Sequence, residues 1–570
     1  MSNILERLAN YRNSLINFLG SRLSFFLVFT LFFIIFFAVY FSVGTVSSSD
    51  DHYFHIRFAQ TLINGGFLDS FKNFKSIYFS RIAQGNQYFV YYNFLFYVFL
   101  LPFTFINPLF LGIKLYAVFA AAIAFALLYW CFVKFDIKNP FLWTLIIFGV
   151  TGVASIWRFF LARPYSLAPS LLLLFLYFIY RKNRIGVFSL SFVYLIWHSA
   201  TFYMPILIAI TYFVIEYFYH KKADKGNLAF TFLGTSTAIG ATYLVSSGFF
   251  LYIRDVVFNT YWETILRKNI PIAEGSELYP LDFFDFIRGN AIMFAALIAA
   301  FSADISSYFA YRFRDFDAGK YFSELSQDRR ILQTCVLILS AILLLGTVTA
   351  SARFGDYFTF FAAIYVVLAF DYIRRSVDIS GNIIIKQSLI ISLFIVLIYF
   401  IGINLLSLQR QLAFGSRPNE FYETGTWLSK NTKPGDVIFN ANWSWFPQLY
   451  YYSPKNYYVA GLEPRFMYEY DHALYWKWAH ISFDGYVCAE VSCPNLESEK
   501  LAALRQQKLT AAFAKSEGDN IAESIKKDFQ SEYIVTSKDQ LLLNYIFSNN
   551  NHYKQMLFDS QYGYFIYKII

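Results

Sequence analysis

A predominantly apolar run without a charged residue, from Leu23 to Val46, sets the first constraint on what this chain can become. Only an α-helix hides every backbone N–H and C=O of such a stretch from hydrocarbon, and about 20 residues suffice to cross a bilayer. The run is too long for a secretory leader and lacks a cleavage site, so it reads as a retained anchor. Arg7, Arg12 and Arg22 precede it, which places the N-terminus in the cytoplasm. Comparable runs recur near 109–133, 140–160, 165–181, 185–199, 200–219, 228–248, 289–311, 331–350, 354–373 and 387–407, about eleven spans in all.

Loop charges support that count. The loops assigned to the cytoplasm carry Lys134 and Lys138, then Arg181, Lys182 and Arg184, then Lys221, Lys222 and Lys225. Arg312, Arg314, Lys320, Arg329 and Arg330 follow, and finally Arg374, Arg375 and Lys386. The alternation holds if 87–107 does not cross. That segment holds Pro102 and many tyrosines, with Pro108 just beyond, and reads as interfacial or re-entrant helices. An odd number of spans puts everything after Leu408 outside.

Composition agrees. Charged residues make up 15% of the chain, against about 25% in an ordinary soluble domain. The formal net charge of +9 would suit nucleic acid, but the basic residues are scattered through short loops, which is the pattern of membrane topology. A nucleic-acid partner is therefore not expected. Beyond Leu408 the sequence turns polar, and short runs such as Val437-Ile438-Phe439 and Tyr533-Ile534-Val535 read as strands alternating with helices such as 497–514. A hairpin is expected around Gln561-Tyr562-Gly563-Tyr564. The expected architecture is a polytopic α-helical membrane domain over 1–408, with external loops at 47–108 and 249–288, and an extracytoplasmic α/β domain over 409–570. Cys131 and Cys335 fall in apolar segments, while Cys488 and Cys493 could pair in an extracytoplasmic domain.

This topology gathers chemistry on one face. Asp50, Asp51, His52, His55 and Arg57 follow the first span directly. Arg158 and Arg163-Pro164 lie between two later spans, and His198 between two more. The loop 249–288 brings Glu274, and Arg353 opens a late span. Carboxylates at such a surface suit a general base or hard-oxygen ligands for a divalent ion, and guanidiniums match phosphate oxygens in a fork. Together they suit group transfer from a lipid phosphate. A run of serine and aspartate before a helix is also an ordinary N-cap, and Glu277, Asp282 and Asp285 read as solvent-facing.

Four segments carry a resemblance. Asp51-x-x-Phe54-x-x-Arg57 resembles the first-loop motif of the catalytic subunit of oligosaccharyltransferase, within the GT-C superfamily of polyprenyl-linked sugar transferases. Ile272-Ala273-Glu274-Gly275 resembles that family's later glutamate motif, Arg353-Phe354 its pyrophosphate-binding arginine, and Trp427 through Val437 the opening of its external domain. The resemblance implies a GT-C-like fold. It implies catalytic roles for Asp51 and Glu274, both as ligands of Mn2+ or Mg2+ where a metal is used. It also implies donor-phosphate binding by Arg353, and Arg163 and Arg57 on the same face are the further candidates for that role. Asp50, His52, His55, His198, Trp443 and Trp445 are the further candidates for substrate contact.

Two departures shape the expectation. The family's second-loop acidic pair is replaced by Arg158, Arg163 and Pro164, which leaves a metal-independent mechanism open. Its Trp-Trp-Asp-Tyr-Gly acceptor motif reads Asn442-Trp443-Ser444-Trp445-Phe446 here. The expected activity is transfer of a sugar or oligosaccharide from a polyprenyl-phosphate or pyrophosphate donor to a glycan, lipid or protein acceptor on the extracytoplasmic face of a cell membrane. Protein N-oligosaccharyl transfer is the nearer alternative. A transporter or flippase of lipid-linked sugars is the alternative of another class, although it would place ionisable groups mid-span.

Overall fold

The computed structural model describes residues 22–46, 51–65, 74–80, 93–245, 272, 275–313, 327–376, 383–493 and 511–570. Asp50, Glu274 and most of the expected helix 497–514 lie outside the described residues.

The protein is a multi-pass helical membrane protein with a small sheet domain at its C-terminal end. Among the described residues, six helices are long and apolar enough to cross a bilayer: Leu23–Phe41, Leu109–Lys134, Ser199–His220, Gln327–Thr349, Arg353–Asp371 and Phe394–Ala413. A seventh is reached if Phe283–Gly289 and Ala291–Ser306, bent by 92°, form one broken span. Several of the expected eleven are shorter. Pro140–Val150, Pro164–Tyr180 and Arg184–Trp197 are apolar helices of 10–17 residues. At 1.5 Å per residue, such helices reach about 15–26 Å and fall short of a full hydrocarbon core. The expected 140–160 span divides because Thr151 is extended and Gly152 starts a separate short helix, Val153–Arg158. The segment ending at 107 is a helix Phe94–Leu100 continued by a 3-10 turn Leu101–Phe105, too short to span.

The last long helix runs Ile383–Ala413, past the expected boundary at 408. The sheet that follows has strands β1 (Val437–Asn440), β2 (Tyr457–Tyr458), β3 (Ser531–Ser537), β4 (Tyr553–Asp559) and β5 (Tyr564–Ile569). Their order is β2-β1-β3-β5-β4, with β2, β1 and β3 parallel and the β4–β5 hairpin antiparallel. The expected strands and hairpin are therefore present. Cys488 and Cys493 form a disulfide, and Cys131 and Cys335 are buried and free.

The two parts are stitched through the first loop. Helix Asp51–Asn64 buries His52 through Ile56, Phe58, Ala59 and Leu62. Helix Phe446–Tyr452 packs on it through Phe54 against Phe446 and Tyr450, and through Tyr53 against Tyr451. Further along the same loop, Ser76 C=O accepts from Tyr458 N–H and Tyr78 N–H donates to Tyr458 C=O, both at 2.8 Å. The loop thus covers the β2 edge, which would otherwise offer unpaired backbone groups.

Candidate active site

Asp51 is the first residue of the surface helix, and its carboxylate meets Arg163 (Oδ2 to Nη2, 2.6 Å). Pro164 explains why Arg163 is placed to do so. A residue before proline is pushed out of the helical region, and Arg163 is extended, with φ −131° and ψ 159°. The adjoining Ala162 N–H donates to His52 Nδ1 at 3.1 Å, tying this loop to the helix that carries Asp51.

Glu277 lies on the other side of Arg163. Its carboxylate accepts from Arg353 Nη2 at 2.6 Å, Arg158 Nη1 at 3.0 Å and Arg163 Nη1 at 3.3 Å. The 3-10 turn Ser276–Leu278 that bears it is pinned to the tip of the hairpin formed by helices Gln327–Thr349 and Arg353–Ser376. Ser351 Oγ donates to Glu277 C=O (2.9 Å), Ala352 N–H to Tyr279 C=O (2.8 Å), and Leu281 N–H to Thr347 C=O (3.1 Å). Gly346 makes the hairpin tight, because a Cβ there would come within 2.9 Å of the Phe354 ring. Arg158 completes the group, its Nε lying 2.6 Å from Asp356 Oδ2. Three guanidiniums and three carboxylates from four separate segments thus form one linked cluster.

The electrostatics differ across it. Burial pushes the Glu277 carboxyl up, but Arg353, Arg163 and Arg158 together overcome this and hold it well below the usual carboxylate range. Burial raises the Asp51 carboxyl and Glu277 adds to the rise, against the opposing pull of Arg163 and Arg353; the outcome is a pKa above the ordinary value. Burial and then Arg163 lower His52 to about 3, so it is neutral at physiological pH. One carboxylate is therefore locked as an anion, while the other is poised to take a proton.

The expected site residues separate into groups. Asp51, Arg163 and Arg353 come together through Glu277. His55 Nδ1 lies 2.6 Å from Tyr97 OH, and His198 Nδ1 lies 2.9 Å from Thr201 Oγ1 and 3.3 Å from Tyr357 OH. Trp443 and Trp445 form a 3-10 turn in the C-terminal domain. Arg57 is turned toward that domain: its Nε donates to Tyr451 C=O at 2.6 Å, its Nη1 to Gln60 at 2.5 Å, and it lies over the Tyr451 ring. Arg57→Ala is expected to cost about 1–3 kcal/mol of stability, read as a lower thermal midpoint in detergent, with donor-lipid affinity unchanged.

No protein-family model matches the chain, and no curated protein does. Solved structures do. The oligosaccharyltransferase of Archaeoglobus fulgidus superposes with a TM-score of 0.58 at 13% identity, covering 91% of this chain and 70% of that one. ArnT from Cupriavidus metallidurans, bound to undecaprenyl phosphate, gives 0.52 at 10% identity, covering 96% and 98%. The chain has the GT-C fold.

Within this GT-C fold, three members of the cluster escaped the sequence reading. Glu277 was expected to face solvent; instead it is the hub, because the hairpin tip holds its turn against three arginines. Asp356 lies three residues after Arg353, a spacing that puts both on one helical face and could have exposed it. Arg158 belongs to the charged groups that the sequence gathers on one face, but nothing in the sequence assigns it a role in the site.

Proposed function

We propose that this protein is an integral-membrane glycosyltransferase, moving a sugar or oligosaccharide from a polyprenyl-phosphate or pyrophosphate donor to an acceptor on the extracytoplasmic face. The observation that carries the proposal is the cluster in which Asp51, Glu277 and Asp356 are linked through three arginines, beside the first-loop helix that packs on the sheet domain. The fold shared with an oligosaccharyltransferase and with a protein bound to undecaprenyl phosphate supports it.

In this mechanism Asp51 takes the proton of the acceptor hydroxyl or amide as its heteroatom attacks the anomeric carbon. The bond from that carbon to the donor phosphate oxygen breaks, and its electron pair leaves with the phosphate. Arg353 has the most exposed side chain of the three arginines (33%, against 22% for Arg163 and 16% for Arg158). It is the first to meet the arriving headgroup, and guanidiniums preorganised around the leaving oxygen lower the barrier. Glu277 keeps the three cations together before the donor arrives.

The described residues do not fit a divalent ion beside Asp51. Each nearby carboxylate already faces a guanidinium, so hard-oxygen ligation would bring a dication against three fixed positive charges. The arginines take the charge-stabilising role, and no metal enters the steps above. A chelator is expected to change the transfer rate less than two-fold; restoration of chelator-lost activity by Mn2+ or Mg2+ would overturn this.

Arg353→Ala is expected to weaken undecaprenyl-phosphate binding by about 10- to 100-fold, the worth of a charge-assisted hydrogen bond. Titration of the purified protein with that lipid checks it, and unchanged affinity would remove Arg353 from the donor site.

A further inference from the structure

The sheet domain contains a cleft placed by its topology. From β1 the chain crosses through helix Phe446–Tyr452 to β2, then returns past β1 to β3 on the other side. The strand order reverses between β1 and β3, and in open α/β sheets the crevice beyond the carboxyl ends of strands at such a reversal is where ligands bind. A cleft of about 250 Å³ opens there, lined by Asn442 after β1, by Ser537 at the end of β3 with Asp539 and Gln540 after it, and by Trp445, Ser482 and Phe483.

The lining has a definite chemistry. Gln540 holds the walls together: its Nε2 donates to Ala441 C=O (3.0 Å) and Ser482 C=O (3.2 Å), and its Oε1 accepts from Ser537 N–H (3.0 Å). Asn442 Oδ1 is held by Ser444, through both its N–H and its hydroxyl at 2.9 Å. Ser482 is 3% exposed, and its Oγ is a buried polar atom without a hydrogen-bond partner among the described residues. It belongs to a π-turn, His480–Asp484, a distortion that recurs at functional sites. Phe483 is 43% exposed despite its size, and Trp445 is half-buried, braced edge-on against Tyr564 at 5.5 Å. Amides, hydroxyls and the Asp539 carboxylate beside two aromatic side chains suit a ligand with apolar C–H faces and many hydroxyls, and the carboxylate opposes a phosphate.

We infer that this cleft binds a neutral carbohydrate. That the carbohydrate is the acceptor glycan rests on the transfer reading above; the binding itself does not. The test uses the full chain in detergent without donor, titrated with linear neutral hexasaccharides of glucose, mannose and galactose by saturation-transfer-difference NMR. At least one is expected to bind, with affinity at least ten-fold lower in Trp445→Ala and Phe483→Ala, and retained in Trp445→Phe. Phe483→Ala removes an exposed side chain, so its loss of binding reads the cleft and not the fold. No binding by any of the three sugars, or unchanged affinity in both alanine variants, would overturn the inference. Asp51→Asn separates the two readings. If it still transfers sugar while the cleft binds glycan, the proposed mechanism fails and the cleft stands. If it loses transfer while the cleft variants bind normally, the cleft fails alone.

Discussion

Glu277→Gln is expected to produce the largest loss of stability of any single substitution at this site, about 1.5–3 kcal/mol, the range for hydrogen bonds to a charged group. Glutamine keeps the shape and two acceptor lone pairs but removes the charge that three guanidiniums share. Arg158 keeps Asp356 and Arg163 keeps Asp51, so the penalty comes from three guanidiniums held close together without the anion they share. Thermal unfolding in detergent measures this. The pH dependence gives a second check. The folded pKa of Glu277 lies below its unfolded value. Its stabilising contribution is therefore present above the unfolded pKa and is lost as pH falls through the folded one. The gap between parent and variant should be full at neutral pH and close in strong acid. A gap that stayed constant down the acid range would mean that Glu277 acts through packing and not through charge.

Asp51→Asn is expected to lower the transfer rate by about 10²- to 10⁴-fold, the usual range for loss of a general base. Donor-lipid affinity and the thermal midpoint should change far less, because asparagine can still accept a hydrogen bond from Arg163. The parent enzyme should show a kcat/KM that rises with pH, with the rise centred above the ordinary carboxylate range, since burial raises the Asp51 pKa and Glu277 adds to it. Whatever activity Glu277→Gln retains should show that limb moved toward acid, because one of the charges raising the Asp51 pKa is gone. An Asp51→Asn protein that transferred sugar at the parent rate would remove Asp51 from the chemistry.

The membrane class, the sheet domain and its hairpin, and the gathering of Asp51, Arg163 and Arg353 were all legible from the sequence. Each depends on a local or one-dimensional property. A run of about twenty predominantly apolar residues demands a helix in lipid, and a fall in hydropathy marks where the chain leaves the bilayer. The bend between Gly289 and Ala291 and the break after Val150 were less legible. Hydropathy integrates over a window and does not register a change of helix direction inside it.

What only the tertiary structure decided is which charges meet. Arg57 and Arg163 look equivalent as residues, yet one is drawn to Tyr451 of the sheet domain and the other to Asp51. Glu277 looks like any loop carboxylate until two backbone hydrogen bonds and one from the Ser351 hydroxyl set its turn against the hairpin tip, among arginines contributed by two other segments. Sequence places such groups at the ends of apolar runs, because that follows from hydropathy. Their pairing depends on distances of a few ångströms between segments far apart in the chain. Coulomb energy and desolvation vary steeply over those distances, and no pattern along the sequence encodes them.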